Sequence, residues 1–286
     1  MTLFASVNPA FPDTELATLA ARHFGKTGAI LQLPSERDQN ARLVADGGDF
    51  VLKIANPEED PGQIDLQNAT MRHLTRVGQP GIPRVVQTLS GQDCAEIQVE
   101  GQPALMRLLT WIDGKPLAEA ARSIAQLSAL GRFMGGLTTS LQGFGHPQAF
   151  RPDFAWSLDH VIQLRGYADD ITDPSRRALV ERLFARYEAQ VLPRLPHLRA
   201  SVLHQDANDW NVITDAADPS AIAGLPLSSV RRASLTNSSR CGPNPAESVA
   251  VHNVCIASNF AAVSMTSRSN PSSATTRWSH TTSARG

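Results

Sequence analysis

Cysteine is scarce in this chain of 286 residues. The three present, Cys94, Cys241 and Cys255, are an odd number without C-x-x-C spacing, so neither a disulfide framework nor a zinc site is indicated. An excess of charge of one sign is also missing. With 26 basic side chains against 27 acidic ones, the balance gives no electrostatic support to a nucleic-acid or membrane-surface role. No stretch approaches the length of a membrane span, and Met1 to Asp13 lacks a basic start followed by an apolar run; the expectation is a cytoplasmic protein. What is present, 42% hydrophobic and 19% charged residues, describes a globular chain able to bury a core as one large domain or two lobes.

Texture changes along the chain in a definite order. Leu16, Leu19, Ala20, His23 and Phe24 recur at helical spacing up to a stop at Gly25. Short extended runs follow at Ala29–Leu33 and Ala41–Ala45, joined by the polar segment 34–40. That turn lacks glycine. It could still set Ser35, Asn40 and backbone N–H groups against phosphates, although a solvated turn is the simpler reading. Beyond Asp46-Gly-Gly48, the run Phe50-Val-Leu-Lys-Ile54 reads as a strand in which Lys53 alternates with apolar neighbours. An ammonium there needs a partner, because burying it unpaired is costly. A helix is expected over 63–77, then extended runs at 84–89 and 94–99, then the most apolar stretch, Ala104–Ile112, closed by Asp113-Gly-Lys-Pro116. After this point the pattern turns helical, over 117–141, 157–167 and from Pro174 to about Val191, the last with Leu179, Leu183, Tyr187 and Val191 as its expected buried face. Phe154, Trp156 and Tyr167 are candidates for a substrate pocket, but large aromatics are more often core.

Short strands then flank His204-Gln-Asp-Ala-Asn-Asp-Trp-Asn211, which reads H-x-D-x-x-x-x-N. Phosphoryl transfer uses these groups: a carboxylate, Asp206, to take the proton of an attacking hydroxyl, and an amide oxygen, Asn211, to hold magnesium. Lys53 then reads as a phosphate-binding lysine on its strand.

Taken together, Phe50–Ile54, Gln67-Asn68, Arg107-Leu-Leu-Thr-Trp-Ile-Asp-Gly114 and His204–Asn211 resemble, in order and approximate spacing, the aminoglycoside phosphotransferase and choline kinase-like superfamily. Within it the chain looks most like hydroxylysine kinase-like proteins, whose domains also occur fused to class III aminotransferases. The resemblance covers roughly residues 10–225. It implies an α+β, protein-kinase-like fold of two lobes: an ATP-binding sheet lobe over 1–112 and a helical lobe with the catalytic loop over 113–225. It also implies ATP, Mg2+ and a small amine-bearing acceptor with a hydroxyl. Aminoglycoside, choline and homoserine are alternative acceptors, and Asp159, Asp169 and Asp170 are candidates by location for an acidic pocket. Carried over by position, Lys53 binds phosphate, Asp206 is the base, Asn211 is a metal ligand and His204 supports the loop. Gln67 stands where the lysine's usual glutamate partner would be, with Asp65 the nearest acid, and Leu109 to Trp111 form a hinge offering backbone groups to adenine.

The resemblance stops in the middle of a strand. Ala221-Ile-Ala-Gly-Leu225 begins as the family's second metal-site strand does, but no aspartate follows, and after Asp218 the only acid is Glu247. Over 226–286 about a third of the residues are Ser or Thr, arginine recurs, lysine is absent and no period persists. A frameshift near Leu225 explains the abrupt change, and this tail is expected to be disordered. The alternative to an active kinase is then a remnant that lost catalysis with its second metal-binding aspartate.

Overall fold

The computed structural model describes residues 8–150, 157–226 and 230–235. Helix α1, Asp13–Phe24, ends as expected at Gly25, whose φ of 64° is the left-handed conformation that closes a helix. Three antiparallel strands follow: β1 (Gly28–Leu33), β2 (Gln39–Ala45) and β3 (Phe50–Ile54). The β2–β3 connection turns at Gly47 and Gly48, with φ of 85° and 131°. Helix α2, Pro61–Arg76, starts two residues before the expected position because Asp60 caps it, accepting the Gly62 N–H at 2.9 Å, and Pro61 is preset for the first helical residue. The chain then adds β4 (Val85–Val86), β5 (Ala95–Val99) and β6 (Gln102–Thr110). Strand β6 pairs with β3 along one edge and with β5 and β4 in turn along the other, giving a six-stranded antiparallel sheet.

Strand periodicity sorts this sheet's side chains by face. Ala41, Leu43, Leu52, Ile54, Ala104, Met106 and Leu108 are buried with Leu16, Ala20 and Phe24 of α1. The alternate positions, Asn40, Lys53 and Arg107, therefore share the opposite face, where Arg107 meets α2.

Beyond a short β7 (Lys115–Pro116), Leu117–Glu119 forms one 3-10 turn, and helix α3 begins only at Ile124, running to Ser140. The expected helix over 117–141 is thus shortened at its start, because Ser123 accepts the Gln126 N–H at 3.1 Å and fixes the cap there. Leu158–Asp170 is 3-10 rather than α-helical. Helix α4, Pro174–Gln190, is capped by Asp173. Its expected buried face is exposed instead: Leu179, Leu183 and Val191 are 48%, 45% and 39% accessible, and no residue of α4 is buried. Tyr187 of the same expected set is half-buried, since α4 packs on the Leu158–Asp170 segment through a different face, with Arg165 bonding Glu181 and Glu188. Strands β8 (Arg199–His204), β9 (Ile213–Thr214) and β10 (Ile222–Gly224) bracket the H-x-D-x-x-x-x-N loop, with β7, β9 and β10 forming a small sheet. Strand β11, Val230–Leu235, pairs with β8, whose open edge offers backbone partners to an extended segment.

One core crosses between the two halves. Leu66, Met71 and Leu74 of α2 and Leu109 of β6 are buried with Leu117, Leu137, Leu141, Val202, Ala207, Val212 and Leu225. Among the described residues no helix is long and apolar enough to cross a membrane.

Candidate active site

The loop from His204 to Asn211 is held by its own polar groups. Asn208 accepts the backbone N–H groups of Trp210 and Asn211 at 3.0 and 3.1 Å, a side-chain turn that Asn is suited to make. Its amide nitrogen donates to Asp206 Oδ1 at 2.7 Å, and Asn211 Nδ2 donates to Asp206 Oδ2 at 2.8 Å and to the Asp206 carbonyl at 2.9 Å. Both carboxylate oxygens are thereby oriented, and each keeps a lone pair for another donor. Asn211's two N–H groups are both spent on Asp206, which turns its Oδ1 the other way. His204 is 5% exposed and its ring accepts the Asp206 N–H on Nδ1 at 3.2 Å, so Nε2 carries the proton and donates to the Pro226 carbonyl at 3.0 Å. It ties the loop to the end of β10, the supporting role expected of it.

On the sheet face, Asn40, Lys53 and Arg107 occupy directly opposed positions of β2, β3 and β6. Lys53 Nζ donates to Asn40 Oδ1 at 2.8 Å, so this pair of expected residues is brought together. Burial first, and then the neighbouring Arg107 charge, push the Lys53 ammonium down to about 8, with Asp38 acting the other way. Burial likewise holds Arg107 below its ordinary value.

Three expected placements change. The Gln67 side-chain oxygen accepts from Arg107 Nη2, while Asn68 Oδ1 accepts from Nη1 at 3.1 Å, so Arg107 is the cation that both amides meet. Asp65 bonds His146 Nε2 at 3.1 Å instead of a lysine. In the hinge, the Trp111 N–H is taken by the Asp49 carbonyl at 3.0 Å, its indole lies 4.3 Å from the Arg42 guanidinium, and Leu109 is paired with Val51 and Val85 on its two sides. Ile112 is the first hinge residue whose N–H has no backbone partner among the described residues. Ser35 is exposed on its turn and makes no hydrogen bond among the described residues. Tyr167 is 61% exposed, Asp169 faces Arg177 at 3.9 Å and Asp170 is exposed, so none of these three is core. Phe154, Trp156, Cys241 and Cys255 lie outside the described residues. Arg107 is the residue that sequence reading missed, and its signal was visible: a single charge inside the most apolar stretch. A cavity of about 850 Å³ lies on the far side of α2, bounded by α1 and the β4–β5 connection, and none of Lys53, Asp206 or Asn211 lines it.

The metal expectation can be tested against the donors. No cluster of three or more His, Cys, Asp or Glu side chains able to hold a metal occurs among the described residues. One carboxylate and one amide oxygen do not cage an ion, but they suit magnesium, which keeps its waters and is held chiefly by substrate phosphates.

Residues 29–225 match the phosphotransferase enzyme family. The chain belongs to that family. This family member is 30% identical over 239 residues to hydroxylysine kinase of Mus musculus, covering 77% of the chain and 63% of the relative, and 30% identical over 226 residues to hydroxylysine kinase of Danio rerio, covering 74% and 62%. It therefore spans a little over three fifths of the length of the curated relatives it matches. Among solved structures it is similar to a microcompartment-associated aminopropanol kinase (TM-score 0.62, 16% identity, 78% of this chain and 71% of that one) and to an amicoumacin kinase (0.58, 14%, 78% and 66%). These likenesses show the fold, a kinase-like sheet lobe with a helical second half. They place the chain in the α+β architecture that the motif order implied.

Proposed function

We propose that the chain is an ATP-dependent kinase of hydroxylysine kinase type, which moves the γ-phosphoryl group of ATP to the hydroxyl of a small amine-bearing molecule. The observation that carries this reading is the Asp206 carboxylate, fixed by Asn208 and Asn211 on a loop anchored in the core that joins the two halves. The curated hydroxylysine kinases supply the acceptor class. In the reaction, Asp206 accepts the proton of the acceptor hydroxyl as its oxygen bonds to the γ-phosphorus; the bond to the bridging oxygen breaks and ADP leaves. Lys53, steadied by Asn40, binds phosphate oxygens, and the hinge backbone at Ile112 meets the adenine edge. Magnesium, when bound, supplies charge neutralisation at the phosphates, and Asn211 Oδ1 is the side-chain oxygen that would hold it.

The direct check is thermal unfolding of the full chain with and without ATP. At a hundredfold excess over Kd, ATP is expected to stabilise by about 2.7 kcal/mol. For a chain of this size that raises Tm by roughly 5–10 °C. An unchanged Tm at millimolar ATP, with and without magnesium, would count against the assignment.

A further inference from the structure

Lys53 and Arg107 are Cα partners across β3 and β6 and point to the same face. Among the described residues neither forms an ion pair. Lys53 gives one N–H to Asn40, and Arg107 gives two to the amide oxygens of Gln67 and Asn68. That leaves two N–H groups on the ammonium and three on the guanidinium. The residue where a carboxylate would neutralise the site is the uncharged Gln67. Asp38 acts on both charges and Glu59 on that of Arg107 without forming an ion pair with either cation among the described residues, and Asp38 also accepts the Asn56 N–H at 3.2 Å. Two adjacent cations withdrawn from water with no carboxylate paired to either are costly, and an anion that bridges them recovers that cost.

We propose that Arg107 is a second phosphate-binding residue, acting with Lys53 as a paired cationic site for the polyphosphate of a nucleotide, so that this chain grips the phosphates with two side-chain charges instead of one lysine neutralised by a glutamate. The inference rests on the kinase reading and specifies its nucleotide subsite. Gln67 and Asn68 orient the guanidinium through neutral hydrogen bonds, which leaves its full charge for the ligand.

Calorimetric titration of ATP and of adenosine into the full chain, in EDTA and from pH 6.5 to 9.5, tests it. In the unsubstituted chain ATP affinity is expected to be level up to about pH 8 and to fall above it as Lys53 loses its proton. Arg107→Gln is expected to weaken ATP about tenfold or more at pH 7, to leave adenosine unchanged, and to shift the alkaline fall to higher pH, because removing a like charge raises the lysine's pKa. Gln67→Glu keeps the guanidinium and the packing but neutralises it, and is expected to move ATP affinity and the alkaline fall in the same directions. Should Arg107→Gln fail to fold, Gln67→Glu decides. Equal loss of ATP and adenosine, or an alkaline fall that stays in place in both variants, would reduce Arg107 to a structural tie for α2 and overturn the inference while leaving the kinase reading intact. Absence of ATP binding by the unsubstituted chain overturns both.

Discussion

A chain in which the residues after Leu225 are restored to a family-like strand end with an aspartate, followed by helices, is expected to consume ATP with hydroxylysine at least about 10³-fold faster than the present sequence. The reason is local. His204 reaches the Pro226 carbonyl at 3.0 Å, so the chain leaves β10 beside the loop that carries Asp206 and Asn211. A carboxylate there would add a further oxygen donor to the described site. Losing such charge stabilisation at a transferring phosphoryl group raises the barrier by several kcal/mol, hence by orders of magnitude in rate. In the restored chain, Asp206→Ala should remove turnover again. Comparable turnover by the two forms would show that the carboxylate is dispensable, and no turnover by the restored form with any amino alcohol would count against the kinase reading itself. The coding DNA offers an independent check: one alternative frame after Leu225 should encode an Asp-Phe-Gly-like turn and amphipathic helices. Those helices are also what the exposed apolar face of α4 and the 83% and 54% exposed Ile124 and Leu127 of α3 would pack against.

The second large effect concerns the joint between the halves. Gly224→Ala is expected to destabilise the protein by about 3 kcal/mol, lowering Tm by near 10 °C in calorimetry. A Cβ at Gly224 would stand 2.4 Å from the Gly81 carbonyl oxygen and 2.8 Å from Ile112 Cδ1. The first is backbone and cannot rotate away. Gly81 itself has φ of 71° and its carbonyl accepts the Leu225 N–H at 2.9 Å, so the two backbones meet directly at this point. The new methyl must push β10 away from the loop before β4, and with it the end of the strand that supports His204. An Ala variant with unchanged Tm would show that this contact relaxes freely.

Much of the site was legible in the residues themselves. Asp206 and Asn211 are separated by a spacing that local hydrogen bonds enforce, with Asn208 between them as the turn-former. Lys53 was legible because a charge inside an apolar alternating run has few explanations. Asn40, two strands' worth of chain away in sequence, was named only as a weak candidate, and register across β2 and β3 made it the lysine's partner. The hinge illustrates the opposite case: the apolar run was found, yet which N–H remains available depends on Asp49 having captured that of Trp111, a contact no pattern encodes.

The sequence by itself determined the order of the parts, the alternation that sets Lys53 apart from its apolar neighbours, the H-x-D-x-x-x-x-N loop and the loss of family pattern after Leu225, because each of these depends on neighbours a few residues apart. Only the tertiary structure decided that Gln67 and Asn68 meet Arg107, that His204 fastens the loop to the end of β10, that one core runs through both halves, and that Leu179, Leu183 and Val191 are left exposed among the described residues. These depend on elements tens of residues apart meeting at hydrogen-bonding or van der Waals distance, and on segments being present or absent to bury a face, which periodicity can propose but only packing decides.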